Sequence, residues 1–133
     1  MSDTPNQFDW VTARSKCSVE PVFYALGDLV EADVAKVKAI EPTADFKVER
    51  NSEKISVAIT RNDMGRGKYW RVTFILHEGR IVIRDGVHGR DLFVAKPALD
   101  ANGQCRVLID DATEGIELWQ VSHRALEAAF FPE

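Results

Sequence analysis

At Asp45 the apolar period of the chain changes from helical to two, and no other feature constrains the fold as much. Before that point Val19, Val22, Phe23, Leu26, Leu29, Val30, Val34 and Val37 recur at three- and four-residue steps, which builds one apolar stripe on a helix. Glu20, Asp28, Glu31, Asp33, Lys36 and Lys38 mostly fall off that stripe. Ser18 is in place to cap this helix, and Pro21 stands in its first turn, where a missing N–H does no harm. Pro42 disfavours helix at the residue before it, so the element is expected to end near Ile40. A shorter helix is expected over Asp9 to Lys16, capped by Asp9.

After Asp45, Phe46 and Val48 alternate with Lys47 and Glu49, and Ile55, Val57 and Ile59 with Ser56, Ala58 and Thr60. Trp70, Val72, Phe74 and Leu76 alternate with Tyr69, Arg71, Thr73 and Ile75, and Ile81 and Ile83 with Arg80, Val82 and Arg84. These are four half-buried strands. A one-residue slip would turn every apolar side chain to the wrong face, so the turns test the reading. A two-residue turn at Glu78-Gly79 sets Leu76 opposite Ile81 and Phe74 opposite Ile83. One at Asn51-Ser52 sets Val48 opposite Ile55 and Phe46 opposite Val57. A loop from Asn62 to Gly67 sets Ile59 opposite Trp70, Val57 opposite Val72 and Ile55 opposite Phe74. All three place apolar residues opposite apolar residues, as an antiparallel meander requires.

Further on, Leu92 to Leu99 contains Pro97 and predicts an edge strand, and Gly103 in a left-handed turn would set Leu99 opposite Cys105. Arg106 to Ile109 and Ile116 to Val121 predict two more strands, followed by a helix capped by Ser122, carrying Leu126, Ala129 and Phe130 and stopped by Pro132. The competing reading makes Glu114 to Phe131 one helix. The expectation is a single α+β domain over residues 1–133: N-terminal helix, six- or seven-stranded antiparallel meander and C-terminal helix, with the helices on one face. This order resembles that of several small folds, frataxin-like domains and secretion chaperones among them, and an order of elements carries no function.

At 133 residues the chain can build a core without staples. The two cysteines, Cys17 and Cys105, form no CxxC and no disulfide framework, and their apolar neighbours predict two reduced, unlinked core thiols. The apolar runs are strand-sized and residues 1–7 lack a signal pattern, which predicts a soluble cytoplasmic protein with no membrane span.

No cofactor motif occurs. Gly65-Arg66-Gly67-Lys68 is not a phosphate-binding P-loop, and the three histidines have no zinc spacing, so neither cofactor nor metal is expected. The loop Asp85-Gly86-Val87-His88-Gly89-Arg90-Asp91 gathers the most reactive side chains: His88 as acid or base, with Asp85 or Asp91 to orient it. The bland reading of that loop is a solvated connection, and it carries more weight.

Charge is more telling. Residues 1–46 carry net −4, residues 47–90 net +5 and residues 91–133 net −5. The basic block coincides with the firmest strands, and their parity gathers Tyr69, Arg71, Thr73, Arg80 and Arg84 on the face away from the core. A solvated face is the usual fate of such a pattern. The functional reading is a non-catalytic module that binds a protein partner, an anionic small molecule or a second copy of itself through this face. The alternative is a small enzyme using the 85–91 loop. An overall pI near 5.4 argues against nucleic acid.

Overall fold

In the computed structural model, which describes residues 8–63 and 66–132, the elements run α1 (Trp10–Lys16), α2 (Val19–Ile40), β1 (Asp45–Arg50), β2 (Lys54–Asp63), β3 (Arg66–His77), β4 (Arg80–Asp85), β5 (Arg90–Leu99), β6 (Cys105–Ile109) and α3 (Leu118–Phe130). Residues 1–7, and residues 64 and 65 within the expected loop and its glycine-arginine motif, lie outside the described residues. The six strands form one antiparallel sheet in sequence order, so the fold is α+β, built on a meander.

Three turn registers hold as the alternation demands. Ile59 faces Trp70, Phe74 faces Ile83 and Leu99 faces Cys105. Glu78 and Gly79 both take positive φ (50° and 77°), the geometry of the tight turn that suits the strand twist. The β1–β2 turn sits one residue later than expected, so Val48 pairs with Val57 and Phe46 with Ile59. The shift of partner is two residues, and a shift of two keeps every side chain on its face.

Helices α2 and α3 cover one face. Leu26, Val30 and Leu126 pack with Val57, Ile59, Phe74, Ile81 and Ile83 in a single core, and Trp70 lies half-buried at its margin. Tyr69 points the other way and is exposed. Arg61 carries a charge at a core-facing position of β2. Its guanidinium donates to the carbonyls of Ala129 and Phe130 at the end of α3 and to Glu41, the C-cap of α2, and it lies over the Trp70 ring. Arg50 meets the middle of α2, donating to Asp28, Glu31 and the Tyr24 carbonyl, and Gly27 leaves the room it fills.

Strand β5, expected at an edge, lies between β4 and β6 with Pro97 opposite Val107. Two further expectations fail. No strand covers Ile116–Val121: Ile116 makes an isolated bridge to Val107, and α3 begins at Leu118. Glu117, not Ser122, is the N-cap, in a reciprocal capping box with Gln120. Helical spacing of Val121, Ser122, Ala125, Leu126, Ala129 and Phe130 buries one stripe, and Ser122 sits inside it, donating to Asp33 on α2 at 2.7 Å. The competing single helix lies nearer, although it begins four residues late.

The cysteines are the second correction. Cys17 and Cys105 are joined in a disulfide across 88 residues, with Cα atoms 5.4 Å apart. The β5–β6 turn at Gly103 brings Cys105 back beside the α1–α2 junction, a proximity that linear spacing hides. In the chain-entropy picture a loop of that length is worth about 4–5 kcal/mol.

Replacing Phe74, fully buried at the centre of the sheet, with Ala is expected to cost about 3–5 kcal/mol. Chemical unfolding with the disulfide intact checks it, and a loss under 1 kcal/mol would contradict the packing described.

Candidate functional site

The face of the sheet away from α2 and α3 is the candidate site. Its cross-strand pairs follow from the same registers: Ala58 with Arg71, Ser56 with Thr73, Thr73 with Arg84, Ile75 with Val82, His77 with Arg80 and Val82 with Val94. Ile75, Val82 and Val94 make an apolar row across three strands, in which Val82 is buried and its neighbours half-buried. Lys54, which opens β2 opposite Ile75, stands at one end of the row.

The five residues expected on this face all lie on it, in different states. Tyr69, Arg71 and Arg80 are exposed. Thr73 is only 4% exposed and forms floor rather than rim. Arg84 is half-buried and donates to Asp91 at 2.7 Å, so its charge is already matched. A register shift between Ile83 and Arg84 makes this pair: Ile83 faces Phe93, yet Arg84 faces Asp91. Such a bulge re-aims side chains. Asp91 thus meets Arg84, and the carboxylate in contact with His88 is Asp85.

Among the described residues, no carboxylate lies within ion-pair distance of Lys54, Arg71 or Arg80. Four acids of the terminal segments are engaged on the helix side or at the sheet edge, Asp28 and Glu31 with Arg50, Glu41 with Arg61 and Glu117 with Arg106, while Asp91 meets Arg84 on the open face. Arg71 is held in place by packing. Its aliphatic stem crosses Gly86, where a Cβ would collide with it, while Gly86 N–H donates to the Arg71 carbonyl at 2.7 Å. The guanidinium carbon lies 5.9 Å from the Tyr69 ring centre, within cation–π range. A cleft of about 280 Å³ opens there, lined by Arg50, Lys54, Arg71, Asn51, Ser56 and Glu49. The sequence signal that could have found it is Gly86 itself, a glycine whose φ is not positive and which serves close approach rather than turn geometry.

The 85–91 loop contains a true His–Asp contact. His88 Nδ1 is 2.9 Å from Asp85 Oδ2, while Asp85 Oδ1 accepts the N–H groups of Val87 and His88 at 2.9 and 3.2 Å. The His88 side chain is 66% exposed, so no low-dielectric surroundings sharpen its chemistry. The hydrogen bond with His88, and then the Val87 N–H, hold the Asp85 carboxyl below its ordinary value. No three His, Cys, Asp or Glu side chains converge as metal ligands among the described residues, and no helix there is long and apolar enough to cross a membrane.

No family model, no curated protein and no solved structure matches the chain.

The lowered Asp85 pKa sets a sign. Its hydrogen bonds contribute to loop order fully above the ordinary carboxylate value of about 3.9 and lose that contribution as pH falls through the depressed folded value. The amide resonance of Val87 is therefore expected to move as pH falls below about 4. Asp85→Asn is expected to remove that titration.

Proposed function

We propose that this domain is a non-catalytic binding module whose helix-free sheet face receives an acidic protein surface. One observation carries the reading: Lys54, Arg71 and Arg80 lie on that face without carboxylate partners among the described residues, beside the apolar row of Ile75, Val82 and Val94. Like charges on one face repel unless something opposite covers them, and the chain's own helices, with their acids, pack on the other side. The apolar row supplies the desolvated centre and the cations the rim, the layout of a protein interface. Ordered Arg71 with Tyr69 beside it fits an anchoring pair, since Arg and Tyr carry much of the energy at such surfaces. A cytoplasmic place for the domain belongs to the same reading.

A poly-glutamate peptide titrated against the native domain is expected to bind, with affinity falling as salt rises. Arg71→Glu with Arg80→Glu is expected to weaken it at least about tenfold, roughly 1.4 kcal/mol, with the melting temperature little changed. Sedimentation across the same salt series reports whether a second copy occupies the face instead. A salt-insensitive monomer that binds no polyanion would remove this reading.

A second reading, a small enzyme, rests on the 2.9 Å contact of His88 with Asp85, the spacing of a base and the group that orients it. Its signature is turnover that His88→Ala abolishes while the thermal midpoint stays put. Absence of turnover across ester and phosphoester substrates leaves binding alone.

A further inference from the structure

Helix α1 buries none of its residues, and Trp10 and Val11 are 63% and 59% exposed. Its side-chain hydrogen bonds are local: Asp9 with Thr12, Ser15 with the Thr12 carbonyl, Arg14 with the Cys17 carbonyl. Tertiary attachment comes from contact with β5, from Phe8 stacked on Gly103, and from the Cys17–Cys105 bond immediately after the helix. A seven-residue helix with no buried stripe is not stable by itself. The disulfide is thus its one covalent hold on the sheet edge.

That bond is open to attack from one side. Cys105 is exposed, whereas Cys17 is buried against a cavity of about 440 Å³ whose lining includes Arg14, Lys96, Glu20, Pro97 and Leu108. Two cations and one carboxylate line the cavity that Cys17 borders, and Cys17 also precedes the first turn of a 22-residue helix. Nearby cations oppose the cost that burial places on a departing thiolate, and the easier that departure, the faster the exchange.

We propose that Cys17–Cys105 is a thiol–disulfide exchange site opened by a small thiol reductant, and that its opening releases α1 from the sheet edge. An external thiolate attacks Cys105 Sγ. The S–S bond breaks, its electron pair leaves on Cys17 as a thiolate, and a mixed disulfide remains on Cys105. A second reductant thiolate attacks the reductant's sulfur in that mixed disulfide and frees the Cys105 thiolate. The protein gains two electrons, and the reductant departs as its own disulfide. Disulfides that occur in a reducing cytoplasm are mostly transient or redox-sensing, which is the setting this bond would need.

The native protein, without denaturant, is equilibrated in glutathione buffers of graded ratio and quenched with a maleimide that adds mass to each free thiol. Trypsin then probes Arg14 and Lys16, with circular dichroism following the sheet. The expected results are two free thiols while the sheet stays folded, and cleavage within α1 about tenfold faster than in the oxidised protein. Lys96→Gln is expected to slow reduction several-fold. Cys17→Ser with Cys105→Ser is expected to show the fast cleavage without reductant; should that variant not fold, the reduced wild type decides. Cysteines that stay oxidised until the sheet unfolds would make the bond a static staple and overturn the proposal. So would a reduced, folded protein cleaved no faster at Arg14 and Lys16.

Discussion

A six-stranded sheet with α2 and α3 packed on one face is the constraint from which the rest of this structure follows. Phe46, Ile55, Val57, Ile59, Phe74, Ile81, Ile83 and Ala95 all have to reach the same layer to meet α2 and α3. Alternation along a strand permits that only if every register keeps parity. The β1–β2 turn shows how strict the rule is and how much it tolerates: its partner shift is two residues and costs nothing in burial, whereas a shift of one would bring Lys47 and Glu49 into the core. Once the core face is fixed, the composition of the opposite face is fixed with it.

The margins of that core are closed by polar groups whose charges are met. Arg61 ends both long helices against the sheet, satisfying carbonyls of α3 that a helix C-terminus leaves without partners. Arg50 fixes α2 to the end of β1, and Ser122 with Asp33 joins the two helices. These contacts employ Asp28, Glu31, Asp33 and Glu41 on the helix side of the sheet. On the other side, Lys54, Arg71 and Arg80 have no carboxylate partner among the described residues.

The open face and the disulfide respond to different conditions. Arg71, placed by Gly86 and Tyr69, is rigid enough to act in recognition, since little side-chain freedom is left to lose on binding. Helix α1, with no buried residue, is weakly held apart from its covalent link, which is the kind of element drawn into conformational change.

The sequence by itself determined the elements and the faces. Three-and-four spacing over Val19–Val37 and alternation after Phe46 settled α2, four strands and the placement of Tyr69, Arg71 and Arg80 away from the core, because periodicity is a local property of the chain. Ile116–Val121 was ambiguous for the same reason: a short apolar run fits either period, and the capping box at Glu117 with the stripe buried against α2 chose helix. Only the tertiary structure decided the rest. A bulge beside Ile83 gave Arg84 to Asp91, Gly86 made room for Arg71, Thr73 was covered, Arg61 drew both helix ends together, and a returning hairpin brought Cys105 to Cys17. Each of these is a meeting of residues far apart in the chain or a one-residue irregularity in a ladder. Neither leaves a period in the sequence to be read.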